Sequence, residues 1–458
     1  MGPAPGSVQS HATGPQDPRA NMTSTRLSYI ALALFTLLLA TAFVAGDALA
    51  PAGRRLAKIT GDDPPLYFDT SHALLFHHSF DLTREFERIR PASDRWSPIS
   101  TATGHRTSPF PIGYSLFAMP FLALGTIADS IAGNPADGFS RYAVLFYCLT
   151  NVVLTGLGLI VLFTFLFQVG ISRRGISEKQ ANLLALGVTF AVFFGTSAGY
   201  YTFSEMSHAA TILTGTLFLL WWWRVRDQTG VRNWAILGLL GGLLSIARWQ
   251  DVFFTGAPLL CDAMTGIEGI RVRLRSRLVY VTVIGLTCLP QMLEWKFMFG
   301  KYVTVPQGGS IFKFPPPFIP NVLFSTEHGW FIWTPLNILG VIGFIMAAGE
   351  AIRYYLPWIL VIAAEVALIA SIPVTWHSGP SFGNRYLTSS APLIGLGLVI
   401  LFSRSAPPVR SALTALAALF CVFSVLFAIQ FRLDLIPKVD RLTPAELFSD
   451  KFTLQCGD

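Results

Sequence analysis

Asp62 and Asp63 stand side by side in Thr60-Gly61-Asp62-Asp63-Pro64-Pro65-Leu66-Tyr67, just beyond the first long apolar stretch of the chain. The two prolines disfavour helix in the residue before them, so the sequence predicts carboxylates displayed on a rigid, non-helical segment. A carboxyl near lipid and near a second carboxyl holds its proton more tightly than usual, which suits it to take a proton from a hydroxyl. Arginines elsewhere offer the complementary chemistry. Arg248 and Asp251 interrupt an apolar stretch, where a charge costs about 2.5–3.5 kcal/mol to insert and needs a partner or a function. Arg248 is a candidate phosphate clamp, because its planar fork matches an oxyanion. Arg385 closes Gly379-Pro380-Ser381-Phe382-Gly383-Asn384-Arg385, with His377 just upstream. Glycines there let backbone approach a ligand, and N–H groups at a helix start favour anions.

Each of these features has a plainer alternative. The acid pair reads equally as a solvated turn, Arg248 and Asp251 as a mutual ion pair, and Arg385 as an interfacial residue beside a helix cap. Glu205 and His208, at the end of a hydrophobic hairpin, are further candidates, as are Gln291 and Glu294. Asp69 and His72 follow the acid pair on an amphipathic helix predicted over residues 67–80 and are weaker. Glu365 lies within an apolar segment with no evident partner in the sequence.

Those residues must be positioned by a membrane framework. Of 458 residues, 52% are hydrophobic and 13% charged, and the mean hydropathy is +0.53. Soluble domains carry about 25% charged residues, so this is the composition of an integral membrane protein. The net charge of +7 would suggest nucleic acid in a soluble chain. Here much of it falls in short connections between apolar segments, so it reads as topology and nucleic acid is excluded as a partner. Five cysteines without paired spacing indicate neither a zinc site nor a disulfide framework. Residues 1–25 are rich in Gly, Pro, Ser and Gln and are expected to be a disordered cytoplasmic segment, with Met22 an alternative start. Ala48-Leu49-Ala50 resembles a signal-peptidase site, but an uncleaved first span fits the later topology better.

Apolar segments fall at about 27–46, 111–131, 142–170, 181–203, 206–225, 233–247, 249–264, 278–297, 330–349, 355–373, 386–403 and 411–431. Arg173-Arg174, Arg224 with Arg226, and Arg271 to Arg277 mark cytoplasmic connections. They share one side only if 111–131, broken by prolines, is re-entrant or interfacial. The expectation is an all-α polytopic protein of about eleven transmembrane helices plus that segment. Its membrane domain spans 26–431, with a first outer loop over 47–110 and an outer tail over 432–458. Trp221-Trp222-Trp223 then fits an interfacial aromatic belt. All the chemical candidates lie on the outer face.

A carboxylate pair and two arginines on one membrane face describe glycosyl transfer from a lipid phosphate, with an Asp as base and cations holding the departing phosphate. No nucleotide-binding Rossmann or Walker pattern is present, so a cytosolic nucleotide donor is not indicated. A divalent cation at Asp62 and Asp63 stays open, since oxygen ligands alone do not specify one.

The layout of residues 26–230 resembles the GT-C superfamily of polytopic membrane glycosyltransferases. Asp62-Asp63 stands in place of that family's Asp-Glu type pair after the first span, with Tyr67 close behind. His105 to Tyr114 is similar to its His-Pro-Pro-Leu type segment, and Arg141 opens a span that ends in Arg173-Arg174. Pro306-Gln307-Gly308, Leu323-Phe324-Ser325 through Trp330, and Ser381 to Arg385 resemble uncharacterised bacterial members. The resemblance implies a polyprenyl-phosphate sugar donor, inversion at the anomeric centre, Asp62 or Asp63 as base, and a bacterial plasma membrane with the site facing outward. The acceptor would be an envelope lipid, glycan or protein, and bilayer lipids would surround the spans. A transporter or flippase of lipid-linked sugars, with Arg248, Asp251 and Glu365 along its path, is the alternative. A non-catalytic scaffold is a third.

Overall fold

Where water is absent, each backbone N–H and C=O must be satisfied within its own segment, and the apolar runs accordingly become helices. A computed structural model describes residues 18–51, 54–89 and 99–449. The expected disorder of residues 1–17 falls outside the described residues, whereas 18–25 belong to a helix. That helix, α1, spans Pro18–Leu49. The segment after α1 carries α2 (Pro64–His72), a single π turn (Ala73–His77) and α3 (Thr83–Ile89). A two-residue antiparallel ladder pairs Ile99–Ser100 with Arg106–Thr107, the only sheet among the described residues. Then come α4 (Gly113–Ile131), α5 (Arg141–Ile171), α6 (Glu178–Gly195), α7 (Ala198–Tyr201), α8 (His208–Val225), α9 (Val231–Ala247), α10 (Val252–Ala263) and α11 (Gly266–Phe299). The short α12 (Ile319–Phe324) and α13 (Trp330–Trp333) precede α14 (Leu336–Ala370), α15 (Ala391–Arg404) and α16 (Pro407–Arg432). The protein is all-α. Seven of its described helical segments are long and apolar enough to cross a membrane, and Val231–Ala247 and Leu336–Gly349 are shorter apolar helices.

Contacts sort the helix ends into two groups. At one end, Asp262 pairs with Arg273 (2.8 Å) and with Arg277, and Arg353 pairs with Asp227 (3.3 Å). Arg224 donates to Gln168 and Arg404 to the Met346 carbonyl at the same end. Arginines stack here on aromatic faces, Arg277 over Trp234 at 3.3 Å and Arg226 over Trp223 at 3.5 Å. The Trp triplet is thus divided: Trp222 is 1% exposed and packs on Trp358, while its neighbours are half-buried. At the other end lie the acid pair, the start of α8, the α9–α10 turn and the loop before α15. Successive segments run between the two ends. Helix α14 contributes two of them, because Ala351 (φ −147°, ψ 66°) breaks it and the chain doubles back.

Helix α4 behaves differently. Its first residue, Gly113, packs on the backbone of Ile246 and Ala247, and its Gly125 packs on Tyr142 and Ala143. Both contacts lie at the polar-loop end. Tyr114 meets Tyr147, and α4 packs extensively against α5. Elsewhere glycines bring backbones together, most closely where α14 crosses α15 and a Cβ on Gly343 would overlap the Gly397 carbonyl.

Candidate active site at the polar end of the bundle

Gly61 takes a positive φ of 92°, a conformation that favours glycine, and turns the chain into the acid pair. The segment is not wholly non-helical as expected: Asp63 is the N-cap of α2, and Pro64 and Pro65 fill the first helical positions. Proline's fixed φ suits that place, where its missing N–H would have no helical partner. Helix α2 is buried along its length. Tyr67 packs on Phe110 and Tyr114, and its hydroxyl donates to Ser207 Oγ at 3.3 Å. Burial pushes the Tyr67 hydroxyl up to about 12, so it stays protonated.

Arg385 arrives from the far side of the sequence. Its loop turns through positive φ at Ser378, Gly379 and Gly383. Asn384 ties it down by donating to the Trp376 carbonyl and accepting from Ser378. Arg385 Nη2 meets Asp63 Oδ2 at 2.6 Å, with side chains 15% and 19% exposed. Nη1 contacts Met206 Sδ, and Nε is buried with no hydrogen-bond partner among the described residues. The pair lines a cavity of about 280 Å³ together with Asp62, Tyr201, Ser381 and Lys438. Tyr200 forms part of its wall and also faces a second, apolar cavity of about 300 Å³ between α1, α6 and α16. Phe194 lines both that one and a third, about 510 Å³, between α6 and α16. Two apolar cavities thus lie along the bundle beside the polar one.

The other sequence candidates take supporting places. Arg248 is 7% exposed and lies behind Arg385: its Nη1 reaches His208 Nδ1 (2.9 Å) and the Arg385 carbonyl (3.0 Å). His208 therefore accepts through Nδ1, and its ring rests on Tyr201. Gln250 donates to the Tyr386 carbonyl, so the α9–α10 turn grips the backbone carrying Arg385. Asp251 is fully buried and turns toward Glu365, Ser389 and Arg248 rather than the cavity. The carboxyl of Glu365 accepts from Ser389 and Ser390. Glu205 faces Cys148, away from the cavity, and burial raises its carboxyl to about 7. His377 braces its loop, accepting from the Gly379 N–H and donating to the Val374 carbonyl. Its own carbonyl accepts from His328, whose imidazole burial lowers to about 4. Gln291 accepts from the Ile112 N–H, and Glu294 from Thr107, so both fasten the 105–112 segment to α11.

Lys438, Tyr200 and Tyr201 were not candidates in the sequence, and Ser381 entered only as part of the Gly379–Arg385 turn. Lys438 is one lysine in a polar tail and Ser381 one serine in a turn, and neither type nor spacing marks them. Asp62 and Asp63 belong to no group of three or more His, Cys or carboxylate ligands among the described residues. Arg385 already occupies the position beside Asp63 that a cation would need. Compared with known proteins, the chain matches no family model and no curated sequence.

Proposed function

We propose that this protein is a membrane glycosyltransferase of the GT-C type. It moves a sugar from a polyprenyl-phosphate donor to an envelope lipid, glycan or protein at the outer face of a bacterial plasma membrane. The observation that carries the proposal is the Asp63–Arg385 pair on the wall of a polar cavity. The apolar cavities near it suit a polyprenyl chain. The segments alternating between a basic and a polar end support about eleven crossings, N-terminus in the cytoplasm and C-terminus outside. Helix α4, with both ends at the polar side, suits an interfacial position.

In the resting site Arg385 is held by Asp63. The donor phosphate takes over the guanidinium, aided by Lys438, and so releases the Asp63 carboxylate toward the acceptor. The acceptor hydroxyl then attacks the anomeric carbon while Asp62 or Asp63 takes its proton. The bond from that carbon to the phosphate oxygen breaks, and the electron pair leaves with the phosphate, whose charge Arg385 stabilises. Attack opposite the leaving group inverts the centre.

Transfer of radiolabelled sugar from polyprenyl-phosphate donors to lipid and envelope acceptors tests this. Purified wild type is run beside Asp62→Asn, Asp63→Asn and the double variant, each checked for folding. Loss of transfer in one folded single variant identifies the base. Undiminished transfer in the double variant removes both acids from the mechanism. A flippase of the same lipids is the second reading, favoured by the carboxyl pair Asp251 and Glu365 buried beside Arg248. Headgroup translocation in reconstituted vesicles without any transfer would select it.

A further inference from the structure

At the far end of α2 from Asp63, three side chains converge with metal-ligand chemistry. His72 Nδ1 lies 3.1 Å and His77 Nε2 3.3 Å from the same oxygen, Glu85 Oε1, and the three donor atoms lie within 4.8 Å of one another. The π turn makes this possible. Five residues on a regular helix rotate about 140° past a full turn, which would set His77 aside from His72. Hydrogen bonding from i to i+5 widens the turn and brings the two rings to one face.

The proton inventory points to a cation. His72 Nε2 lies 2.9 Å from the Asp137 carbonyl, which can only accept, so the ring proton of a neutral His72 sits there. Its Nδ1 lone pair then faces the Glu85 carboxylate, one acceptor against another. Glu85 is 1% exposed, and its Oε2 is buried with no hydrogen-bond partner among the described residues. The edge of a tetrahedron with metal–ligand bonds of about 2.0–2.1 Å is roughly 3.3–3.4 Å, close to both contacts. A histidine whose second nitrogen donates to a carbonyl is the usual outer support of such a ligand. Phe76 and Phe139 clamp the His72 ring. Arg88, on the helix of Glu85, holds the Asp137 side chain at 2.6 Å.

We propose that His72, His77 and Glu85 bind a divalent transition ion of the zinc class, with a fourth position open to water beside the exposed His77. The ion ties α2 to α3 and so steadies the helix whose N-cap is Asp63. It is not routed through the transfer chemistry, and the site stands whether or not the transferase reading does.

The test uses the full chain in detergent with any polyhistidine tag removed. Bound zinc is measured by elemental analysis, and Co2+ is titrated into chelator-treated protein. One equivalent with the visible absorption of four-coordinate Co2+ is expected. His77→Ala and Glu85→Gln should each weaken it by at least about tenfold, with His78→Ala unchanged. Absence of both retained zinc and a Co2+ band in folded wild type overturns the proposal and leaves a protonated His72 paired with Glu85. Equal binding by wild type and His77→Ala, which alters an exposed side chain, overturns it as well.

Discussion

Asp63 and Arg385, more than 300 residues apart in sequence, meet at 2.6 Å on the wall of one cavity. Their side chains are 15% and 19% exposed, so neither is fully buried. Two consequences separate. Breaking a buried pair by removing one partner costs about 3–5 kcal/mol, and this half-buried one should fall at or below the low end. A cycle of Asp63→Asn, Arg385→Gln and the double variant, followed by unfolding in detergent, should give a coupling of about 0.5–3 kcal/mol. Additive effects would show that the pair does not act as a unit. In the transfer assay, Arg385→Gln should lower kcat by about 10²–10³-fold, as loss of a transition-state donor does elsewhere.

Arg248 should act through Arg385. A lysine cannot serve His208 and the Arg385 carbonyl with the same planar fork. Arg248→Lys is expected to raise KM for the lipid donor more than it lowers kcat, while Asp63→Asn lowers kcat alone. Equal losses in kcat and kcat/KM for Arg248→Lys would instead place this arginine on the reacting phosphate.

Glu205 makes stability depend on pH. Burial raises its folded value from 4.5 to about 7, so the folded state holds a proton that the unfolded chain has given up. Its contribution is fully present below about 4.5, falls as pH rises through 7, and is then lost. The swing is about 3 kcal/mol. Glu205→Gln cannot ionise, so its unfolding temperature should exceed that of wild type by a margin that widens from pH 5 to pH 8. Parallel curves would contradict this.

Gly343 is the tightest crossing of α14 and α15. Gly343→Ala must push the helices apart and should cost about 1–3 kcal/mol or more, since an added methyl would overlap the Gly397 carbonyl and crowd the Leu401 Cβ. Gly285→Ala, on α11 with open space around the new Cβ, is the matched control and should be neutral or slightly stabilising. Thermal unfolding in the same detergent compares them.

Much of the frame was legible in the sequence, because burial in lipid leaves the backbone few choices. Runs of about 20 apolar residues become helices, and arginines in short connections gather at one end. The pairing of Asp63 with Arg385 was legible only as composition: two charge types expected on one face, with no distance between them. Arg248 stood out because a charge in an apolar stretch needs a partner. Its partners, His208 and a carbonyl of the Arg385 segment, are set by how α8, α9 and α15 meet. Glu205 and Asp251 show the opposite. They sit next to site residues in the chain, yet side chains leave a turn in several directions, and packing turned these two inward.

By itself, then, the sequence determined the all-α membrane character, the two-ended charge distribution and the residues able to do acid–base and phosphate chemistry, because these follow from local pattern and hydration. Only the tertiary structure decided which of them share a cavity, that Lys438 joins them, and that His72, His77 and Glu85 converge. Those contacts depend on the direction of each side chain where distant segments pack, and no spacing along the chain encodes that.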